Sequence, residues 1–236
     1  MDSLRAAFHF VFYVFIVGSL RLLLTTAARV RVKQFATVPE GGFILASNHI
    51  SHFDPPFLSG WFPRKIEWIA MVELFGTAWS KRGFQWLDVI PVDRSGDDRQ
   101  ALRQALRRLE LGKVIGVFPE GGIRDGERSM LAGAPGRDGA ILLAVKSGLP
   151  IVPVVILGSE RLYNKKNWLG LRRAKVYIGI GKAIVPAAGG LPREAREKLR
   201  EQYAAALVAL KDEMVATFQL TSDDLPHSPQ ERMKEP

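Results

Sequence analysis

The chain has 236 residues, 47% of them hydrophobic, which is enough apolar surface to bury the core of one main domain with a small appendage. It contains no cysteine, and this excludes disulfides, thiolate catalysis, iron–sulfur clusters and zinc–thiolate sites. The formal charge of +9 and the isoelectric point near 10.0 indicate an anionic partner, but charge alone does not distinguish nucleic acid, a membrane surface or a phosphorylated substrate.

The N-terminus begins with an apolar segment. Residues Ala6 to Leu20 are apolar apart from His9 and Ser19, and after Arg21 the apolar sequence continues to Ala28. The uninterrupted part is short for a hydrocarbon core of roughly 30 Å. It therefore predicts an anchor that lies in the membrane surface or dips into it, with a single spanning helix and a cleaved signal peptide as the alternatives.

Short apolar runs separated by glycine and proline follow the anchor and predict strands. The predicted strands are Gly42 to Ser47, Glu67 to Met71, Asp88 to Val92, Lys113 to Phe118, Ile151 to Leu157 and Lys175 to Ile180.

Amphipathic segments lie between these strands. The clearest predicted helix runs from Asp97 to Leu111, with acidic residues at its start and Gly112 after its end. Further helices are predicted at Asp54 to Trp61, Gly139 to Ser147 and Pro192 to Phe218. The alternation predicts an α/β fold, with a largely parallel sheet flanked by helices and sites at the carboxyl ends of its strands.

The domain organisation predicted from these patterns has three parts. Residues 1–30 form membrane-anchoring helices, and residues 31–220 form the α/β domain. Residues 221–236 are polar and contain proline, so they are predicted to be disordered.

The stretch "SNHISHFDPP", residues 47–56, follows the first predicted strand and has three interpretations. A metal site would use His49, His52 and Asp54, but the chain has only four histidines and offers no second cluster to complete the ligands. A structural interpretation makes Asp54 a helix N-cap with Pro55 at the first helical position. A catalytic interpretation makes His49 a general base whose imidazole is oriented by Asp54.

Two further polar clusters follow predicted strands. The segment "FPEGGIRDGER" combines glycine amides with Glu120, Arg124 and Arg128, a composition that suits a phosphate or another oxyanion but is also common in turns. The segment "DVIPVDR" ends in Asp93 and Arg94, and taken alone these residues favour a surface ion pair or a helix cap.

The order and spacing of "NHISHFD", "IPVDR", "FPEGGIR" and "IVPVVI" resemble the four-block pattern of the glycerophospholipid acyltransferase family, of the 1-acylglycerol-3-phosphate acyltransferase type. The resemblance covers residues 40–185, roughly, and its most specific signals are N-H-x-x-x-x-D followed by F-P-E-G. It implies that His49 and Asp54 form a catalytic dyad and that the N-terminal segment is the family's membrane-surface anchor.

The resemblance also implies a binding site for the glycerophosphate head group. The residues assigned to it are Arg94, Glu120, Gly121, Gly122, Arg124 and Arg137. Pro153 marks the fourth block, on the acyl-donor side.

Two departures from the family pattern concern the acceptor site. The third block is usually F-P-E-G-T-R, whereas Gly122 and Ile123 precede Arg124 here. Family members often carry a lysine where Met71 precedes "VELF". Arg137, in "GRDGA", matches a basic family position and is a candidate to compensate.

The implied function is transfer of a fatty acyl group from acyl-CoA or acyl carrier protein to the free hydroxyl of 1-acylglycerol 3-phosphate. Because no cysteine and no activated serine is evident, direct attack by the acceptor hydroxyl is expected, without a cofactor or a metal. The expected location is the inner membrane, facing the cytoplasm, and nucleic-acid binding is not expected. The alternatives are another lysolipid acceptor, or a non-catalytic lipid-binding protein on the same scaffold.

The basic residues are expected to bind three partners: the phosphorylated acceptor, the anionic donor and the lipid surface. The segments "WSKRGFQW" and "RLYNKKNWLGLRR" mix tryptophan with basic residues, as interfacial segments do, but ordinary surface loops with buried tryptophans have the same composition.

Overall fold

The computed structural model describes residues 2–93, 99–169, 173–187 and 192–234. Its strands are β1 (Ala28–Gln34), β2 (Phe43–Ser47), β3 (Ile66–Met71), β4 (Ile90–Val92), β5 (Val114–Val117), β6 (Ile151–Leu157) and β7 (Ala174–Ile180). Its helices are α1 (Asp2–Ala27), α2 (Asp54–Trp61), α3 (Ala78–Trp86), α4 (Arg99–Glu110), α5 (Gly139–Ser147), α6 (Pro192–Phe218) and α7 (Pro229–Lys234). Short 3₁₀ turns connect several of them.

The strands form one sheet in the order β1-β7-β6-β2-β5-β3-β4. Strands β6, β2, β5, β3 and β4 are mutually parallel, while β7 is antiparallel to β6 and β1 is parallel to β7. The predicted α/β class with a largely parallel sheet is confirmed. Strand β2 lies between β5 and β6, so the segments that follow these three strands leave the sheet at the same edge.

Helices cover both faces of this sheet. Alternate side chains of β2 point to opposite faces, so Ile44 packs in a cluster with α4, α5 and α6, while Phe43 packs in a cluster with α1 and α2. All five residues of β2 and all seven of β6 are buried. This explains why both strands are continuous apolar runs rather than alternating ones.

The element bounds agree closely with the sequence patterns in the central sheet, and the first strand is the main omission. Strand β1 has the alternating sequence "ARVRVKQ" and is mostly exposed, as an edge strand can be. Its first residue is Ala28, so the boundary predicted after residue 30 falls inside the sheet. Helix α3 was also not predicted, because "WSKRGFQW" was interpreted as an interfacial or surface segment.

Two tryptophans of the basic segments, Trp86 and Trp168, have described contacts with other parts of the protein. The ring of Trp86 contacts Phe8 and Phe12 of α1, at centroid distances of 5.7 and 4.9 Å. The indole nitrogen of Trp168 donates to the Leu162 carbonyl at 2.8 Å, and its ring lies 5.9 Å from that of Phe53. Both side chains are half-buried and pack on other side chains of the protein.

Helix α1 is continuous through Arg21, whose guanidinium lies over the Trp61 ring at 5.2 Å from its centroid. Its segment Ala7–Ala27 is long and apolar enough to cross a membrane by length and composition. Arg21 ends the uninterrupted apolar run of the sequence, but it does not interrupt the helix.

One face of α1 packs on the α/β domain. His9 Nδ1 lies 3.0 Å from Asp88 Oδ1, Lys65 Nζ lies over the Tyr13 ring at 4.9 Å, and Leu24 and Ala27 are buried. The other face exposes large apolar side chains, namely Phe10, Val11, Val14, Phe15, Leu22 and Leu23. The helix is therefore docked along its length, with an apolar face turned outward.

The polar tail differs from the expected disorder. The Thr221 and Asp224 side chains form a reciprocal capping box around a 3₁₀ turn, and Asp224 is buried. Arg161 binds the tail through Asp223 and Asp224, at 3.1 and 3.4 Å. Helix α7 follows and packs on the turn that begins at Ser159, so specific ion pairs order a segment whose composition alone would not.

Candidate active site

The loop after β2 brings His49 and Asp54 into contact. His49 Nδ1 donates to Asp54 Oδ2 at 2.8 Å. The Asp54 side chain is fully buried, whereas the His49 side chain is 16% exposed. A carboxylate can only accept here, so Nδ1 carries a proton, and in the neutral form of the ring Nε2 is the nitrogen with the lone pair.

Asp54 is held by four hydrogen bonds. Its Oδ2 also accepts from the backbone N–H groups of Ile50 and Ser51, at 2.8 and 2.9 Å. Its Oδ1 accepts from the Ser159 hydroxyl. A buried charge is tolerated only when such partners replace water.

The N-cap role considered for Asp54 is wrong. Helix α2 begins at Asp54 itself, its N-cap residue is Phe53, and no side chain caps it. Both Asp54 oxygens are engaged with groups outside the first turn, because the loop folds back over the carboxylate. Pro55 does lie in the first turn, as expected.

The imidazole of His49 is fixed by aromatic stacking as well. Its ring lies on Phe118 at a centroid distance of 4.1 Å, with planes 19° apart. Phe118 in turn stacks on Trp68 at 4.8 Å and 3°. Sequence reasoning missed both aromatic residues, although Phe118 is the first residue of the "FPEGG" segment and directly follows β5.

Asn48 was also missed, although it is part of the first block. Its side-chain amide donates to the Ile156 carbonyl and its side-chain oxygen accepts from the Ile156 N–H, both at 2.9 Å. The buried amide thus continues the β2–β6 pairing one residue beyond the strand and fixes the start of the loop.

Glu120 lies behind His49. One carboxylate oxygen accepts from the His49 backbone N–H at 2.5 Å, and the other accepts from the Ser129 hydroxyl and the Met130 N–H at 2.8 and 2.7 Å. Glu120 is buried, and burial raises its pKa above 4.5 even though these hydrogen bonds oppose the shift. The described hydrogen bonds of Glu120 are therefore all to protein groups, and one of them fixes the backbone of His49.

Gly121, directly after Glu120, allows a close approach of Arg137. Gly121 has φ of +70°, and a Cβ atom there would lie 2.3 Å from Arg137 Nε. The Arg137 backbone N–H donates to the Pro119 carbonyl at 2.7 Å. The exposed guanidinium of Arg137 is thus held over the "PEGG" turn.

A cavity of about 750 Å³ opens beside His49. Its polar end includes His49, Gly121, Gly122 and Arg137. Most of its remaining wall is apolar and comes from α1, β3, α3 and α5, through side chains such as Ile16, Leu20, Ile69, Phe84 and Leu142. An apolar cavity with a few polar groups at one end is typical of a site for an amphiphilic ligand.

The remaining predicted residues are less closely associated with this cavity. Arg124 is half-buried, and its backbone N–H donates to the His49 carbonyl at 2.8 Å; its side chain is not part of the cavity wall as described. Arg94 lies outside the described residues. Among the residues that are described, no group of three or more His, Asp or Glu side chains is arranged to hold a metal ion.

The raised pKa of Glu120 predicts a pH-dependent cost to folding. Between about pH 4.5 and the higher folded-state pKa, the unfolded glutamate has lost its proton while the folded one retains it, so stability should fall as pH rises. The slope from one such group is at most about 1.4 kcal/mol per pH unit. In Glu120→Gln this part of the slope should disappear, as measured by denaturant unfolding at a series of pH values.

The matched control is Glu40→Gln, which removes the same charge from an exposed position and should keep the wild-type slope. Parallel stability curves for wild type and Glu120→Gln would contradict the assignment.

Comparisons with known proteins identify the family to which this sequence is similar. The sequence model of the family described as Acyltransferase matches residues 29–157, which include the β2 loop and the "FPEGG" segment. The chain is 28% identical over 148 residues to 1-acyl-sn-glycerol-3-phosphate acyltransferase from Bacillus subtilis, covering 62% of this chain and 71% of that protein. It is 27% identical over 180 residues to the enzyme of the same name from Helicobacter pylori, covering 74% and 73%.

Among solved structures, the 1-acyl-sn-glycerophosphate (LPA) acyltransferase PlsC from Thermotoga maritima is similar with a TM-score of 0.60. The sequences are 24% identical, and the match covers 84% of this chain and 81% of that one, so this likeness supports the fold. The resemblance predicted from the four sequence blocks is confirmed, and the chain belongs to the acyltransferase family.

Proposed function

We propose that this protein transfers a fatty acyl group from a thioester donor, acyl-CoA or acyl carrier protein, to the free hydroxyl of 1-acylglycerol 3-phosphate. The observation that carries the proposal is the hydrogen-bonded pair of His49 and Asp54 at the polar end of a largely apolar cavity. The names of the Bacillus subtilis and Helicobacter pylori relatives support this acceptor.

In the proposed reaction, Nε2 of His49 removes the proton from the acceptor hydroxyl as its oxygen attacks the thioester carbonyl carbon. Asp54 stabilises the imidazolium that forms, through the 2.8 Å bond to Nδ1. The tetrahedral intermediate collapses with cleavage of the C–S bond, and the thiol leaves with the proton from Nε2. No covalent enzyme intermediate, cofactor or metal is required by this sequence of steps.

The acyl chain is proposed to occupy the apolar part of the cavity, where water is excluded. The acceptor phosphate is proposed to bind Arg137 and the backbone N–H of Gly122, because these groups share the polar end of the cavity with His49. The N–H of Gly121 already donates to the Phe118 carbonyl at 3.0 Å, so Gly121 is proposed to contribute the space that Arg137 occupies. Arg94 and Arg124 remain proposals for the same head-group site. Glu120 is proposed to act on head-group binding indirectly, because its carboxylate holds the backbone of His49.

Helix α1 is proposed to lie on the cytoplasmic surface of the inner membrane as the anchor of the α/β domain. Its docked face is occupied by the protein from His9 to Ala27, whereas its outward face is apolar. A helix bound to its own domain along its length cannot also pass through the bilayer away from it. The net charge of +9 favours anionic lipids at the same surface.

The general-base role predicts that His49→Ala lowers acyl transfer at least about 100-fold, because proton removal at the hydroxyl is lost. The measurement is thiol release from acyl-CoA in the presence of 1-acylglycerol 3-phosphate, with phosphatidic acid as the second readout. His227→Ala, which changes a histidine in the tail, should leave the rate unchanged. Wild-type turnover by His49→Ala, or liposome binding by a wild-type protein that turns over no acyl donor, would refute the proposed catalysis.

The head-group role of Arg137 predicts that Arg137→Gln raises the acceptor KM about 10-fold or more, because a charge-assisted bond to phosphate is lost. The donor KM should change little. Arg103→Gln, at an exposed position on α4, serves as the control for loss of one positive charge. An unchanged acceptor KM in Arg137→Gln would remove this residue from the head-group site.

The surface position of α1 predicts that both of its ends lie on one side of the membrane. Because the chain has no cysteine, Ser3→Cys and Lys33→Cys provide single labelling sites without further changes. In sealed inner-membrane vesicles of either orientation, a membrane-impermeant maleimide should label both variants from the cytoplasmic face. Labelling of the two positions from opposite faces would show that the helix spans the bilayer.

A further inference from the structure

The turn after β6 places one hydroxyl group against the dyad. Ser159 is fully buried, and its Oγ donates to Oδ1 of Asp54. The other described donors to Asp54 are His49, Ile50 and Ser51, which belong to the same loop as the aspartate and all bind Oδ2. Ser159 therefore supplies the described hydrogen bond that ties this carboxylate to the sheet.

The position of Ser159 is set by tight backbone packing. Gly158 has φ of +85°, and a Cβ atom there would lie 2.1 Å from the Lys175 carbonyl oxygen of β7. The glycine thus lets the chain turn directly off β6 into the 3₁₀ turn Ser159–Tyr163. Two residues before Gly158, both the N–H and the carbonyl of Ile156 are hydrogen-bonded to the side-chain amide of Asn48. The hydroxyl is consequently attached to a rigid part of the sheet.

This arrangement separates the tasks of the two carboxylate oxygens. Oδ2 faces the imidazole, while Oδ1 is held from the opposite side of the loop. The Cβ–Cγ torsion of an aspartate is broad in general, and rotation of the Asp54 carboxylate is opposed at Oδ2 by three donors that all belong to its own loop. The bond from the Ser159 hydroxyl to Oδ1 adds a restraint from outside this loop, which keeps Oδ2 directed at Nδ1.

We propose that Ser159 is a positioning residue of the acyltransfer reaction, which acts through Asp54 to keep the His49 imidazole in its productive orientation. It does not contact either substrate. This inference rests on the proposed function, because it assigns Ser159 a part in the proton transfer carried out by His49. A loss of hydroxyl should therefore lower kcat without altering substrate binding.

The test compares Ser159→Ala, Ser159→Thr and Ser47→Ala with wild type and His49→Ala in the thiol-release assay, with thermal unfolding of each purified protein as the measure of folding. Ser47 is the matched control, because it is also fully buried and its hydroxyl has no hydrogen-bond partner in the described part of the chain. Ser159→Ala should lower kcat about 10-fold or more, the loss expected for a hydrogen bond to a charged group, with both KM values unchanged. Ser47→Ala should retain wild-type kcat.

Two further readouts distinguish positioning from general stabilisation. Ser159→Thr keeps the hydroxyl and should recover kcat relative to Ser159→Ala. In an Asp54→Ala background, removing the Ser159 hydroxyl should cause no further loss of the residual rate, because the two residues act as one unit. Additive losses in this double variant would overturn the inference, even if Ser159→Thr were unfolded.

The outcomes also separate this inference from the proposed function. If wild type does not transfer acyl groups, or if His49→Ala remains fully active, the proposed function fails. If wild type is active, His49→Ala is inactive and Ser159→Ala keeps its full kcat, then Ser159 is not a positioning residue and the proposed function stands.

Discussion

The buried carboxylate of Asp54 is the constraint on which the site depends. A fully buried carboxylate is costly unless donors replace the water that it loses, and four donors converge on Asp54 here, three at Oδ2 and one at Oδ1. Meeting this requirement folds the loop 48–54 into one conformation. The partly exposed imidazole of His49 is one of the four donors, so the same hydrogen bonds that satisfy the buried charge also orient the ring towards the cavity.

The sheet order explains why the donors are available. Strand β2 lies between β5 and β6 and is parallel to both, so the three segments after these strands meet at one edge. The β5 side contributes Glu120 beneath the His49 backbone and Phe118 against its ring. The β6 side contributes Ile156 to Asn48 and Ser159 to Asp54. The histidine loop is therefore supported from both neighbouring strands, and the topology, rather than the loop sequence alone, determines its shape.

The sequence predicted the parts of this arrangement that are local. The apolar runs of β2 and β6 and the helices α2, α5 and α6 were found because strand and helix periodicity lies within each segment. His49 and Asp54 were paired because they are five positions apart. Ser159 was not predicted, because its partner Asp54 is 105 positions away in the sequence. Nothing in "LGSER" distinguishes its hydroxyl from that of a surface turn. The alternating charges of β1 concealed an edge strand, whose pairing with β7 depends on the fold as a whole.

The N-terminal helix, which is proposed to be the membrane anchor, also forms part of the wall of the cavity beside His49. Tyr13, Ile16, Val17 and Leu20 of α1 line the same cavity as His49. The helix is held there by the contact of His9 with Asp88, whose pKa burial alone would raise but which hydrogen bonds from Lys65 and His9 hold below its usual value. Removal of α1 would therefore open the apolar cavity to water, and under the proposed function it would also detach the domain from lipid. Since the proposed reaction needs a dry site for the thioester and an amphiphilic acceptor drawn from the membrane, one helix with two apolar faces satisfies both needs.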